Sequence, residues 1–110
     1  MNLSRRLRIQ SLKRRNEIQE VFDRGKKIYL GFGLLVLHNR PEDTSKRKVA
    51  VLVKKQCGNA VVRNQIKRVL RHVFCALPEI YNSYNRVVIL YRERGRANYH
   101  SIYREMKSKI

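Results

Sequence analysis

The residues best suited to chemistry lie together in one segment, Lys54–Phe74, which contains six Lys and Arg residues and no acidic residue. Gly58 and Asn59 supply a turn, and the residues after Asn59 have the period of a helix. Guanidinium and ammonium groups bind phosphate oxygens, and the backbone N–H groups at a helix N-terminus also favour anions. The segment therefore predicts a surface that binds phosphate groups.

On a helical wheel this segment separates into an apolar face and a basic face. The apolar positions have core spacing and are Val62, Ile66, Val69, Leu70, Val73 and Phe74. The polar positions occupy the broadly opposite arc and are Arg63, Asn64, Lys67, Arg68 and Arg71. Like charges four residues apart repel by roughly a few tenths of a kcal/mol. A solvated helix would intersperse glutamates, so the absence of acids favours an external polyanion.

The composition of the whole chain agrees with a polyanionic partner. The 110 residues include 26 Lys and Arg against 8 Asp and Glu, which gives a net charge of +18. This charge balance is typical of nucleic-acid-binding proteins. Residues 1–15 are basic and unopposed by acids, and predict a flexible N-terminal segment before a single RNA-binding domain at 16–110. A targeting peptide is the alternative for this segment, although no cleavage site follows it.

No arrangement of side chains predicts catalysis by this chain. The acids Glu79, Glu93 and Glu105 stand apart from one another, and the phosphate-binding loop pattern of nucleotide hydrolases is absent. Cys57 and Cys75 do not have the spacing of a zinc site. We therefore expect no catalytic residue, no metal ligand and no small-molecule substrate. No apolar stretch is long enough for a membrane span or a secretion signal, so we expect a cytoplasmic protein.

The order of predicted elements is α-β-β-β-α-β-α, which indicates an α+β fold, a small α/β sandwich with about four strands and three helices. The first helix is predicted to begin at an N-cap, Asn16, and to end at Gly25 in the left-handed conformation. Asn59 and Asn98 are predicted to cap the basic helix and the last helix. The basic helix joins two apolar strands, and the general rule for such a crossover is right-handed.

The sequence favours RNA over DNA. A helix-turn-helix needs two adjacent helices, whereas the basic helix is flanked by predicted strands. Phe22, Tyr29 and Phe32 could stack on unpaired bases if they lie on an open sheet face, although each such aromatic is more often a core residue. Their exposure decides between the two interpretations.

The central motif resembles the signature of the bacterial ribonuclease P protein subunit. The residues that carry the resemblance are Lys55, the turn Gly58-Asn59-Ala60-Val61, Arg63-Asn64, Ile66-Lys67-Arg68, Arg71 and Phe74, with Phe22 and Gly25 upstream. The resemblance implies a subunit of a ribonucleoprotein endonuclease that removes the 5′ leader of precursor tRNA. It also implies that the RNA subunit carries the active site and its Mg²⁺ ions, and that the crossover around the basic helix is left-handed.

The resemblance further implies two binding surfaces. Contacts to the ribonuclease P RNA are expected from Lys54, Lys55, Asn59, Arg63, Asn64, Lys67, Arg68 and Arg71. A cleft for the 5′ leader is expected at Ile18, Phe22 and Phe32. The chain departs from the family pattern at Gln65, where an arginine is usual, at Lys54 and Gln56, where serine and lysine are usual, and at Ile18, where an aromatic is common. The point charge of Lys54 does not replace the bidentate binding that an arginine at position 65 would provide.

An alternative function uses the same basic surface. A structural RNA-binding protein, such as one associated with the ribosome, would have this charge and fold without any role in RNA processing. Such a protein would bind ribosomal RNA and would not stimulate cleavage of precursor tRNA.

Overall fold

A computed structural model describes residues 2–4, 9–41 and 46–110, with side chains from residue 9 onward. The strands are β1 (Asn2–Ser4), β2 (Ile9–Ser11), β3 (Lys26–Leu30), β4 (Gly33–His38), β5 (Arg47–Val53) and β6 (Arg86–Tyr91). The helices are α1 (Arg15–Arg24), α2 (Ala60–Cys75), α3 (Pro78–Tyr81) and α4 (Tyr99–Lys109), and a 3-10 turn spans Lys55–Cys57. The predicted α+β class and element order are confirmed; β1, β2 and α3 are short additions to the predicted order.

The six strands form one mixed sheet in the order β1-β2-β5-β6-β4-β3. Strand β4 is antiparallel to its two neighbours, β3 and β6, whereas β5 is parallel to both β6 and β2. One face of the sheet packs against α1, and the other packs against α2, α3 and α4. The central strand β6 is buried along its whole length, as expected for a strand covered on both faces.

The connection from β5 through α2 to β6 is left-handed. Val49 of β5 belongs to the core cluster under α2, so its side chain points toward a viewer on the α2 side. With β5 running upward, an L-residue in this orientation has its carbonyl on the right. The Val49 carbonyl accepts the Leu12 N–H next to β2, so β2 lies to the right of β5 and β6 lies to its left. The chain leaves β5, passes in front of the sheet through α2 and enters β6 on the left, which is a left-handed crossover. The general right-handed rule fails for this fold.

The expected boundary between a flexible segment at 1–15 and a domain at 16–110 is corrected by the structure. Strand β2 pairs with Arg47–Val49 of β5, and both Ile9 and Leu12 are buried. Residues 9–15 are therefore part of the fold, while residues 1 and 5–8 lie outside the described residues. Beyond Val49 no described strand pairs with this side of β5, which leaves an open sheet edge from residue 50 to residue 53.

The prediction that the first helix ends at Gly25 is confirmed, whereas the predicted N-cap at Asn16 and the left-handed conformation of Gly25 were wrong. Arg14, in extended conformation, occupies the N-cap without a side-chain hydrogen bond, and Gly25 has a φ of −78° rather than a left-handed value. The glycine is needed for space, because a Cβ there would lie 2.5 Å from the Val21 carbonyl oxygen and 2.6 Å from Val36. No helix within the described ranges is long and apolar enough to cross a membrane.

Candidate nucleic-acid interface

The turn before α2 fixes where the basic helix begins. Gly58 has a φ of +155°, and a Cβ at this position would lie within 2.9 Å of the Val62 side chain, so glycine is required. The side chain of Asn59 accepts the Val62 N–H at 3.0 Å, which confirms Asn59 as the N-cap. Lys54 and Lys55, on the same turn, are exposed.

The polar residues of α2 form two neighbouring ridges. Arg63, Lys67 and Arg71 follow one another at four-residue spacing, about 6 Å apart along the axis, and are half-buried. Asn64 and Arg68 lie beside them and are exposed. The helix thus brings these five predicted residues onto one side, and its buried residues Ile66, Leu70, Val73 and Phe74 onto the other.

No described carboxylate neutralises these ridges. The ion pairs among the described residues join Glu17 to Arg40 and Lys48, Glu20 to His38 and Arg40, and Glu79 to Lys107. The Nε atoms of Arg63 and Arg71 are buried without a hydrogen-bond partner in the described part of the chain. The cations of the two ridges therefore have no neutralising partner in the described part of the chain, and a polyanion would relieve their mutual repulsion.

Two further basic residues adjoin α2 that the sequence did not assign to the interface. Lys13 and Arg71 line a depression along the open edge of β5, and Arg94 lines another with Lys55 and Asn59. Lys13 falls within the segment that the sequence predicts to be flexible, and Arg94 follows β6 in a short loop. Neither residue carries a local sequence signal of this proximity, because strand pairing and loop packing create it.

A second candidate surface lies on the opposite face of the sheet, beside α1. Ile18 and Phe22 are half-buried and pack on the same core cluster as Leu34 and Leu90. Tyr29 is directly opposite Leu34 across the β3–β4 pair, so its side chain shares this face. Tyr29 is 72% exposed and is the most accessible large apolar side chain of the described residues.

The grouping of Phe32 with Ile18 and Phe22 is corrected by the structure. Phe32 is 4% exposed and belongs to the core cluster under α2, on the other face of the sheet. Its ring stacks on Tyr91 with the centroids 5.3 Å apart. Burial, with smaller contributions from Glu93 and Cys57, raises the pKa of the Tyr91 phenol. Of the three aromatic residues with a predicted stacking role, Phe22 and Tyr29 lie on the side of the sheet that carries α1, and Phe32 lies on the other side.

Comparison with known proteins gives the family. The family model described as Ribonuclease P matches residues 7–110. The chain belongs to the ribonuclease P protein family. Members of this family act in tRNA 5′ maturation as the protein part of an endoribonuclease holoenzyme, in partnership with ribonuclease P RNA and precursor tRNA.

Individual ribonuclease P proteins agree with this assignment. The ribonuclease P protein component of Acholeplasma laidlawii is 33% identical over 103 residues, which cover 94% of this chain and 87% of that protein. That of Streptococcus agalactiae is 33% identical, with 78% and 77% covered. The ribonuclease P protein structures from Staphylococcus aureus and Thermotoga maritima share the fold, both with a TM-score of 0.72, at 20% and 18% identity. They cover 90% and 89% of this chain, and 90% and 92% of their own.

The departure from the ribonuclease P signature at Gln65 has a structural explanation. The Gln65 side chain is half-buried and forms two hydrogen bonds with the backbone of Ala97, in the loop between β6 and α4. Gln65 therefore faces a loop of its own chain, rather than lying on the two basic ridges. The sequence identified the missing arginine but could not identify this partner, which is 32 residues away.

Proposed function

We propose that the basic side of α2 binds the ribonuclease P RNA, and that the surface beside α1 receives the 5′ leader of precursor tRNA in the cytoplasm. The observation that carries the proposal is the pair of ridges on α2, which has no carboxylate partner among the described residues. Four cations, Arg63, Lys67, Arg68 and Arg71, project from one helix and require a polyanion of extended shape. Lys54, Lys55, Asn59 and Asn64 complete the proposed contact set.

The chain assists the reaction by bringing two polyanions together. Its positive charge offsets the repulsion between the RNA subunit and the precursor tRNA, which otherwise requires a higher concentration of cations. Ile18 and Phe22 offer apolar contact to unpaired leader nucleotides, and Phe22 offers a ring for stacking. Among the described residues, no group of three or more His, Cys, Asp or Glu side chains is placed to hold a metal ion. We propose that the RNA holds the Mg²⁺ ions of the holoenzyme.

Reconstitution with a ribonuclease P RNA tests the proposal. At low Mg²⁺ concentration, the protein should raise the cleavage rate of a precursor tRNA with a long leader far more than that of a substrate with a leader of one nucleotide. Arg68→Ala should lower stimulation of both substrates through weaker binding to the RNA subunit, whereas Phe22→Ala should reduce the difference between them.

Arg104→Ala is the matched control, because it also removes one exposed arginine, but from α4 and outside the proposed contact set. Equal stimulation of both substrates would refute leader binding. No stimulation of either substrate, with binding to ribosomal RNA instead, would favour a structural RNA-binding protein.

A further inference from the structure

The loop between β6 and α4 carries three arginines beside the candidate RNA surface. Arg92, Arg94 and Arg96 are all exposed. None of them forms an ion pair within the described residues. Repulsion between these three guanidinium groups and the cations of α2 disfavours a loop position next to that helix. Specific interactions must therefore hold the loop there.

Hydrogen bonds fix this loop against α2 and the turn before it. The Gly95 N–H donates to the Cys57 carbonyl at 2.9 Å. The Gln65 Nε2 donates to the Ala97 carbonyl at 2.9 Å, and the Gln65 Oε1 accepts the Ala97 N–H at 2.8 Å. We call the last two bonds the Gln65–Ala97 clamp. An arginine at position 65 could not make both bonds, because a guanidinium group has no acceptor.

The loop has two sides with different electrostatic surroundings. Arg94 and Gly95 border a shallow depression whose other walls include Lys55 and Asn59. Arg96 lines a separate cavity that contains the carboxylates of Glu93 and Glu105. Arg94 therefore extends the basic surface of α2, whereas Arg96 lies where a phosphate would meet negative charge.

We propose that the Gln65–Ala97 clamp positions Arg94 to bind, together with Lys55 and Asn59, a backbone phosphate of the RNA held by α2. This inference rests on the proposed function of α2. Gln65 is then a positioning residue. It stands where an arginine is usual, and it holds the loop so that Arg94 lies beside the surface. The bound group is a phosphodiester, since guanidinium, ammonium and amide donors converge on one depression.

Arg94→Ala and Arg96→Ala form a matched pair that tests the contact. Both remove one exposed arginine from the same loop, so net charge and loop composition change equally. Binding to ribonuclease P RNA should weaken about tenfold for Arg94→Ala, while Arg96→Ala stays within about twofold of the parent protein. Equal losses for the two variants, or no loss for Arg94→Ala, would overturn the proposal.

Arg68→Ala separates failure of this inference from failure of the proposed function. If Arg68→Ala weakens RNA binding and Arg94→Ala does not, only the loop contact is refuted. If neither variant weakens binding, the RNA surface itself is misplaced.

The positioning role of Gln65 is tested by combining substitutions. Gln65→Ala should weaken RNA binding several-fold in the parent protein, and much less in the Arg94→Ala background, because the clamp acts through Arg94. An equal loss of affinity in both backgrounds would refute positioning. Thermal melts verify that the variants are folded at the assay temperature. Gln65→Met, which keeps the length of the side chain without its amide, is used if the alanine variant does not fold.

Discussion

Substitution of Arg68 should change the salt dependence of RNA binding in a calculable way. Arg68 is exposed and forms no ion pair with a described residue, so Arg68→Ala leaves no buried group unsatisfied. We take about five phosphate contacts for the proposed contact set, one of them made by Arg68. At about 0.7 to 0.9 per contact, the slope of log affinity against log salt is about −3.5 to −4.5. With four phosphates bound instead of five, the slope becomes about −2.8 to −3.6.

Titrations of labelled ribonuclease P RNA at several salt concentrations and fixed Mg²⁺ measure this slope. Between about 50 and 200 mM salt, the affinity of the parent protein should fall about 130- to 500-fold, and that of Arg68→Ala only about 50- to 150-fold. The slope is more decisive than the affinity at one salt concentration. A change in fold would weaken binding, but it would not change the slope by the amount due to one phosphate.

The control for this prediction is Arg104→Ala, which lowers the net charge by the same amount on α4. Its slope should equal that of the parent protein. If Arg68→Ala also keeps the parent slope, Arg68 does not contact a phosphate and the reasoning from the ridges of α2 is refuted. If both variants flatten the slope equally, the effect comes from net charge rather than from contact.

Three further substitutions test two aromatic residues and an ion pair. Phe32→Ala should lower the free energy of unfolding by about 3 to 5 kcal/mol, measured by denaturant titration. Tyr29→Ala should leave it within about 0.5 kcal/mol but reduce the preference for substrates with long leaders; an unchanged preference would remove Tyr29 from the leader surface. Hydrogen bonding to Lys107 lowers the pKa of Glu79, so Lys107→Ala should raise that pKa in an NMR titration. The pair stabilises the fold above the ordinary pKa of Glu79 and loses this effect as pH falls through the lowered value, so equal acid stability of parent and variant would contradict a stabilising pair.

The sequence predicted the features of this protein that depend on neighbouring residues. The two faces of α2 follow from helical period, and the N-caps Asn59 and Asn98 act on N–H groups three residues ahead. The left-handed crossover was predicted only through the family resemblance, since the general rule gives the opposite hand. These features give the location of the basic surface and of the turn that precedes it.

The features that the sequence did not predict depend on distant partners. Strand β2 has three residues and exists through pairing with β5. Phe32 was expected in the leader cleft but is buried, because its ring stacks on Tyr91 in the core, whereas Tyr29 is exposed. The sequence presents Gln65 as a missing charge, whereas the fold gives it two hydrogen bonds to Ala97. In each case an interaction between residues far apart in sequence overrides local pattern.

The open edge of β5 has a consequence for the protein in the absence of RNA. Unpaired N–H and C=O groups along a strand edge can template pairing with another copy, a common route to aggregation. Lys13 and Arg71 flank this edge, so two copies meeting there would bring two pairs of cations together. That repulsion weakens as added salt shortens the screening length to a few ångströms, about 3 Å at 1 M. The positive charge that attracts RNA thus opposes edge-to-edge pairing between two copies of the chain.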